Sequence, residues 1–132
     1  MRLIQSLFFA LFIGSLAHAQ PMTGEQFESY VEGKTLYFAS EGVDYGAEDY
    51  LSNRRVRWSF LDGECQEGYW YEAPETQICF VYDNRPDDPQ CWTFEQRGGG
   101  LIATFTGESG RVLYEARRTD APLMCLGPEV GV

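Results

Sequence analysis

The sequence predicts a mainly β domain, an antiparallel meander of about seven strands forming a small barrel or half-barrel, with one short N-terminal helix. Three observations predict it. From residue 35 onward, short runs rich in aromatic and β-branched residues recur, separated by Gly, Pro, Asn and Asp. Within most runs apolar and polar residues alternate, the period of a half-buried strand. Four cysteines, Cys65, Cys79, Cys91 and Cys125, fall in the same region and suit a small β domain stapled by disulfides.

Residues 1–19 read as a secretory signal peptide. Arg2 gives the positive start, Leu7 to Ile13 a short apolar run, and Ala17-His18-Ala19 ahead of Gln20 a small-x-small cleavage site. A membrane span needs about 20 apolar residues, more than this run holds. The expected mature protein is a single domain of about 113 residues, 20–132, periplasmic or secreted, with no membrane insertion.

Next comes the helix, within residues 23–33. Thr23 is a candidate N-cap with Gln26 three residues on, Phe27, Tyr30 and Val31 share a face, and Gly33 ends it. Strand-like runs follow near 35–39, 54–61, 66–72, 76–82, 91–96, 101–106 and 111–117. Parity assigns the inner face to Val56, Trp58 and Phe60, then Gly68 and Trp70, then Ile78, Phe80 and Tyr82. Trp92 and Phe94 continue it, followed by Leu101, Ala103 and Phe105, then Val112, Tyr114 and Ala116. Leu61-Asp62-Gly63 is expected as a bulged turn with Gly63 left-handed, Gly98-Gly99 as a two-residue turn, and Glu108-Ser109 as another, setting Phe105 opposite Val112. Arg57 is expected opposite Glu67, Arg55 opposite Tyr69, and Trp70 in the aromatic core opposite Ile78.

An even cysteine count in an exported chain reads as two disulfides, with three connectivities open. Cys79 and Cys91 close a short loop between two strands, which favours that pair and leaves Cys65 with Cys125. The spacings lack the close CxxC pairs of zinc or redox sites, and no metal or cofactor is expected.

Composition excludes much chemistry. The chain has 10 basic and 20 acidic residues; losing Arg2 with the leader leaves 9 against 20, a net charge of −11. Such a domain repels phosphate backbones and anionic membranes and favours basic proteins, cations or uncharged ligands. His18, the sole histidine, also leaves with the leader, and Lys34 is the sole lysine. Histidine-dependent nucleophiles, imidazole acid–base catalysis and histidine zinc sites are then ruled out, and only carboxylates, tyrosines and arginines remain for an enzyme.

The candidate sites are few. Tyr69-Trp70-Tyr71 with Trp58 and Trp92 would suit sugar stacking or an apolar ligand, against the simpler role of core. Arg54, Arg55 and Arg57 form a basic cluster better explained by cross-strand pairing than by an anion. Glu41, Asp44, Glu48 and Asp49 are expected in a long loop between the first two strands, and Asp83, Asp87 and Asp88 in the Cys79–Cys91 hairpin loop. Neither stretch has the calcium-loop spacing. Asp83, Asp87, Asp88, Glu48 and Asp49 are the candidate binding residues, and Glu48 with Asp49 the first carboxylates to consider for a hydrolase.

The string Trp58-Ser59-Phe60-x-Asp62-Gly63-x-Cys65, with Gly68-x-Trp70, Ile78-Cys79-Phe80-x-Tyr82 and Cys91-Trp92-x-Phe94, resembles a group of short exported proteins of Gram-negative bacteria. In that group a G-x-W strand precedes a C-F-x-Y strand and a C-W strand. The resemblance covers residues 50–96, rests on turn and core residues, and implies the β fold and the Cys79–Cys91 bridge. The group has no established activity, so no site residue transfers. Small periplasmic barrel inhibitors of proteases or lysozymes share the size and disulfide habit, without their inhibitory motifs being visible here.

The leading expectation is a non-enzymatic exported binding module, in its sharper form an acidic inhibitor of a basic hydrolase. A lipocalin-like carrier of a small apolar ligand is the alternative, and a carboxylate-based hydrolase comes third. Exported protein is expected to begin at Gln20, or its cyclised form, and to hold no reactive thiol. Intact mass after alkylation without reductant checks both, and a labelled cysteine would overturn the two-bridge reading.

Overall fold

The computed structural model describes residue 14 and residues 19–126, so the expected leader lies, but for Gly14 and Ala19, outside the described residues. Helix α1 (Gly24–Val31) precedes eight strands: β1 (Thr35–Ser40), β2 (Val43–Tyr50), β3 (Arg55–Ser59), β4 (Gln66–Ala73), β5 (Gln77–Tyr82), β6 (Gln90–Arg97), β7 (Gly100–Phe105) and β8 (Val112–Thr119). Each strand pairs antiparallel with the next, and β1 pairs with β8 to close the barrel. Closure leaves no unpaired sheet edge. No helix among the described residues is long and apolar enough to cross a membrane.

Helix α1 starts at the expected capping box, in which Thr23 and Gln26 satisfy each other's backbone N–H, and Gly33 takes a positive φ just past its end. The helix lies across one end of the barrel and inserts Phe27, which is fully buried. Its ring meets Phe94 at 4.4 Å, Trp70 at 5.1 Å and Tyr50 at 5.6 Å between centroids. Polar ties hold the plug in place: Met22 N–H to the Phe94 carbonyl, Gly24 N–H to the Glu72 carboxylate, Arg54 to Glu28 and Tyr30 hydroxyl to Glu115. The Arg54 guanidinium also covers the Trp70 ring at 4.3 Å.

Strand β2 corrects the expected long loop. Its sequence, Val-Asp-Tyr-Gly-Ala-Glu-Asp-Tyr, is poor in β-forming residues, and tertiary pairing on both sides overrides that preference. Gly46 is required here. A Cβ at this position would stand 2.2 Å from the Trp58 indole, which lies across the strand.

Most of the expected register holds, including Arg57 opposite Glu67, Arg55 opposite Tyr69, Cys79 opposite Cys91 and the Gly98-Gly99 turn setting Phe94 opposite Ala103. Three details differ. Trp70 faces Phe80 rather than Ile78, a two-residue shift that keeps it inward. Strand β3 ends at Ser59, so Phe60 leaves the barrel wall and is 59% exposed. In β8 the parity inverts: Ala103 faces Leu113, which is buried, while Tyr114 and Ala116 point outward. The cause is the turn before it. Thr106 bonds the Cys91 carbonyl through both its N–H and hydroxyl, and Phe105 N–H bonds the Arg111 carbonyl, so Val112 falls opposite Thr104 and the chain returns one residue earlier than a Glu108-Ser109 hairpin would bring it.

Two disulfides are formed, Cys79–Cys91 across β5 and β6 and Cys65–Cys125 between the β3–β4 loop and the C-terminal tail. The first lies on the outer face, since Ile78 and Phe80 beside Cys79 point inward. The second anchors the tail, which runs over the outside of β1–β3.

Phe27→Ala should cost about 3–5 kcal/mol, as large aromatic truncations in cores do. Tyr71→Ala, on the exposed outer face, should stay within about 1 kcal/mol. Urea unfolding compares the two, and equal small effects would refute the plug.

Candidate functional site

An eight-stranded barrel is wide enough for side chains to fill or for one small ligand to enter. Here it does both. Phe27 fills the helix end, and toward the other end a cavity of about 240 Å³ remains. Tyr50, Phe80 and Phe94, whose far sides meet Phe27, form its floor. Phe38, Trp58, Trp92, Ala103 and Leu113 line its wall. Tyr45 and Phe60 stand at the mouth with Gln66 and Gln90, and the β5–β6 loop contributes Asn84 and Arg85. Phe60 meets Trp58 edge-on at 5.4 Å, forming an apolar lip.

Below the mouth, one carboxylate side chain breaks the aromatic lining. Glu48 sits on β2 between Leu36 of β1 and Trp58 of β3, its side chain pointing into the barrel at 1% exposure. The Tyr82 hydroxyl donates to Oε1 at 2.9 Å. Oε2 is buried and has no hydrogen-bond partner among the described residues. Burial drives the Glu48 carboxyl well above the usual carboxylate range, with the Asp49 charge adding to it and the Tyr82 hydrogen bond opposing. Tyr50 and Tyr82 are likewise pushed up, by burial first and by the Glu48 charge second. Both phenols therefore stay neutral, and Tyr82 remains a donor.

Asp49, the next residue, occupies the opposite face. It accepts from the Thr35 hydroxyl at 2.8 Å, from Arg57 Nη2 at 2.7 Å and from Leu123 N–H at 3.4 Å. Its charge is spent on holding the C-terminal tail against β1–β3. The expected grouping of Glu48 and Asp49 in one solvated loop is thus corrected: both are buried in a strand, and the pleat separates them. They cannot act as an acid–base pair across one substrate.

Asp83, Asp87 and Asp88 do lie in the β5–β6 loop and are exposed, and Asp88 is paired with Arg85. This acidic loop borders the cavity mouth. Trp58 and Trp92 face the cavity, whereas Trp70 is sealed beneath Phe27 and Arg54, and Tyr69 and Tyr71 lie outside. The tryptophans thus divide between a pocket and a core. Arg57 pairs with Asp49 rather than with Glu67, and Arg54 with Glu28. No group of three metal-ligating side chains occurs among the described residues.

Sequence reasoning missed the pairing of Glu48 with Tyr82. A signal was available, since the expected loop between residues 39 and 54 exceeds the usual length for a compact domain. Alternation inside it sets Gly46, Glu48 and Tyr50 on one face. No protein family, curated protein or solved structure matches the chain.

Glu48 should make stability depend on pH. The folded state keeps its proton after the unfolded chain has lost it near the ordinary value of 4.5. That stabilisation is complete below this pH and is lost as pH rises toward the folded value. Stability of the wild type relative to Glu48→Gln should fall above pH 4.5 by at most about 1.4 kcal/mol per unit, as read by urea midpoints across the range. A difference independent of pH would mean that the carboxyl titrates normally.

Proposed function

We propose that this protein is a non-enzymatic exported binding module that holds a small molecule in the open half of its barrel. The observation that carries the reading is the cavity of about 240 Å³, walled by aromatic rings and containing one unsatisfied polar atom, Glu48 Oε2. Ligand sites are typically concave and largely apolar, with a few placed polar groups that fix orientation. The volume lies just below the range of drug-sized pockets, about 300–1,000 Å³, so the ligand is compact. Two disulfides suit an oxidising compartment, and the signal-peptide pattern at residues 1–19 and the likeness to short exported Gram-negative proteins support the periplasm or cell exterior.

The carrier form is favoured over the hydrolase form because the cavity holds a single carboxylate among uncharged rings. It is also favoured over the inhibitor of a basic hydrolase. For that second reading the supporting observation is the exposed Asp83 and Asp87 at the cavity end, where a basic protein would dock.

Ala103 lines the wall between Phe94 and Leu113, and Ala103→Leu fills part of the cavity from that strand position. Native mass spectrometry of protein recovered from the periplasm should show a retained small molecule on the wild type, and Ala103→Leu should lose it while unfolding cooperatively. Recovery of the wild type bare, with a basic hydrolase attached through a salt-sensitive contact, would favour the inhibitor.

A further inference from the structure

Glu48 decides what chemistry the ligand carries. Resting on the cavity-binding reading above, we propose that the ligand is a small organic cation, an apolar amine whose protonated nitrogen pairs with Glu48 Oε2 while its body lies among Trp58, Trp92 and Phe80. The first support is geometric. Oε2 is fully buried at the cavity wall and has no donor, while Oε1 is already bound by the Tyr82 hydroxyl. Once Glu48 is ionised, Oε2 offers only an acceptor site, and an ammonium carries donors and no acceptor.

The second support is the wall. Tyr45, Trp58, Phe80, Tyr82 and Trp92 supply π systems along the same cavity, and aromatic faces attract cations, most strongly when water is excluded. The third is the surrounding charge. Asp83 and Asp87 stand exposed beside the mouth, and Arg85, the one cationic side chain lining the cavity among the described residues, is paired with Asp88. An anionic ligand would meet Glu48 in a lining whose one arginine is held by Asp88, with Arg111 exposed over the Tyr45 ring at 5.0 Å and not in the lining, whereas a cation is drawn in by the acidic field.

Proton accounting gives the inference its signature. The ionisable groups facing Glu48 are Tyr82 of β5 and Tyr50 of its own strand, with Asp49 behind it and engaged by Arg57; Leu36, Phe38 and Trp58 on β1 and β3 do not titrate. Below its raised folded-state pKa, Glu48 in the empty cavity holds its proton. When an ammonium arrives, the carboxyl O–H breaks, the proton passes to the buffer, and the carboxylate pairs with the ligand. Binding of an amine therefore releases about one proton, and binding of a neutral ligand releases none.

The test uses three probes of one shape on the whole mature protein: 2-phenylethylamine, 2-phenylethanol and 3-phenylpropanoate. Calorimetric titration about one pH unit above the ordinary carboxylate value of 4.5, in two buffers of different ionisation enthalpy, measures affinity and proton release together. The amine is expected to bind at least about tenfold more tightly than the alcohol and to release about one proton. The carboxylate probe should not bind. Glu48→Gln should erase the amine's advantage and the proton release, while the alcohol still binds. Proton release is read on the wild type, so the test stands even if that variant fails to fold. Alcohol binding as tight as amine binding, with no proton released, would overturn the cation and leave the cavity reading standing. Absence of binding by all three probes would overturn both.

Discussion

Everything else in this molecule depends on the insertion of Phe27 into one end of the barrel. Closing eight strands removes the edges but creates an interior that must be filled. The helix fills half of it with one ring against Tyr50, Trp70, Phe80 and Phe94. Because a single short helix cannot reach the far end, the other half stays open. The floor of the cavity is thus the far side of the core, and the rings that stabilise the fold also shape the pocket. Anchoring of the helix by Glu28, Glu72 and Glu115 keeps that floor in position.

Glu48 and Asp49 show how one pleat produces two roles from like residues. Asp49 faces outward and is fully partnered by Thr35, Arg57 and Leu123, so it contributes to holding the tail. Glu48 faces inward, where the barrel offers it a single hydroxyl. A buried carboxyl with an unsatisfied oxygen is costly for stability, by about 1–3 kcal/mol for the missing hydrogen bond. Such a cost is commonly found at functional sites, where the ligand supplies what the fold does not. The same contrast separates the tryptophans. Trp70 is capped by Arg54 and Phe27, while Trp58 and Trp92 have cavity on one side.

By itself, the sequence determined the β class, the helix with its capping box, and the registers of β3 with β4, β5 with β6 and β6 with β7, and it favoured the two cysteine pairs that the fold forms. These follow from local rules: alternation at period two, turn residues with fixed geometry, and the need to place Cys79 across from Cys91. Only the tertiary structure decided the rest. The acidic segment from Val43 to Tyr50 becomes a strand because β1 and β3 would each be left with one unpaired edge without it, a demand invisible to local propensity. Thr106, bonded to Cys91 fifteen residues away, leaves β7 at the last turn, and a return one residue shorter than the expected hairpin exchanges the faces of β8. The site is of this second kind. Glu48 acquires its meaning only when β2 and β5 stand across the barrel from each other and bring Tyr82 to one of its oxygens, leaving the other with none. Burial and partnership are properties of the closed barrel, and no spacing along the chain encodes them.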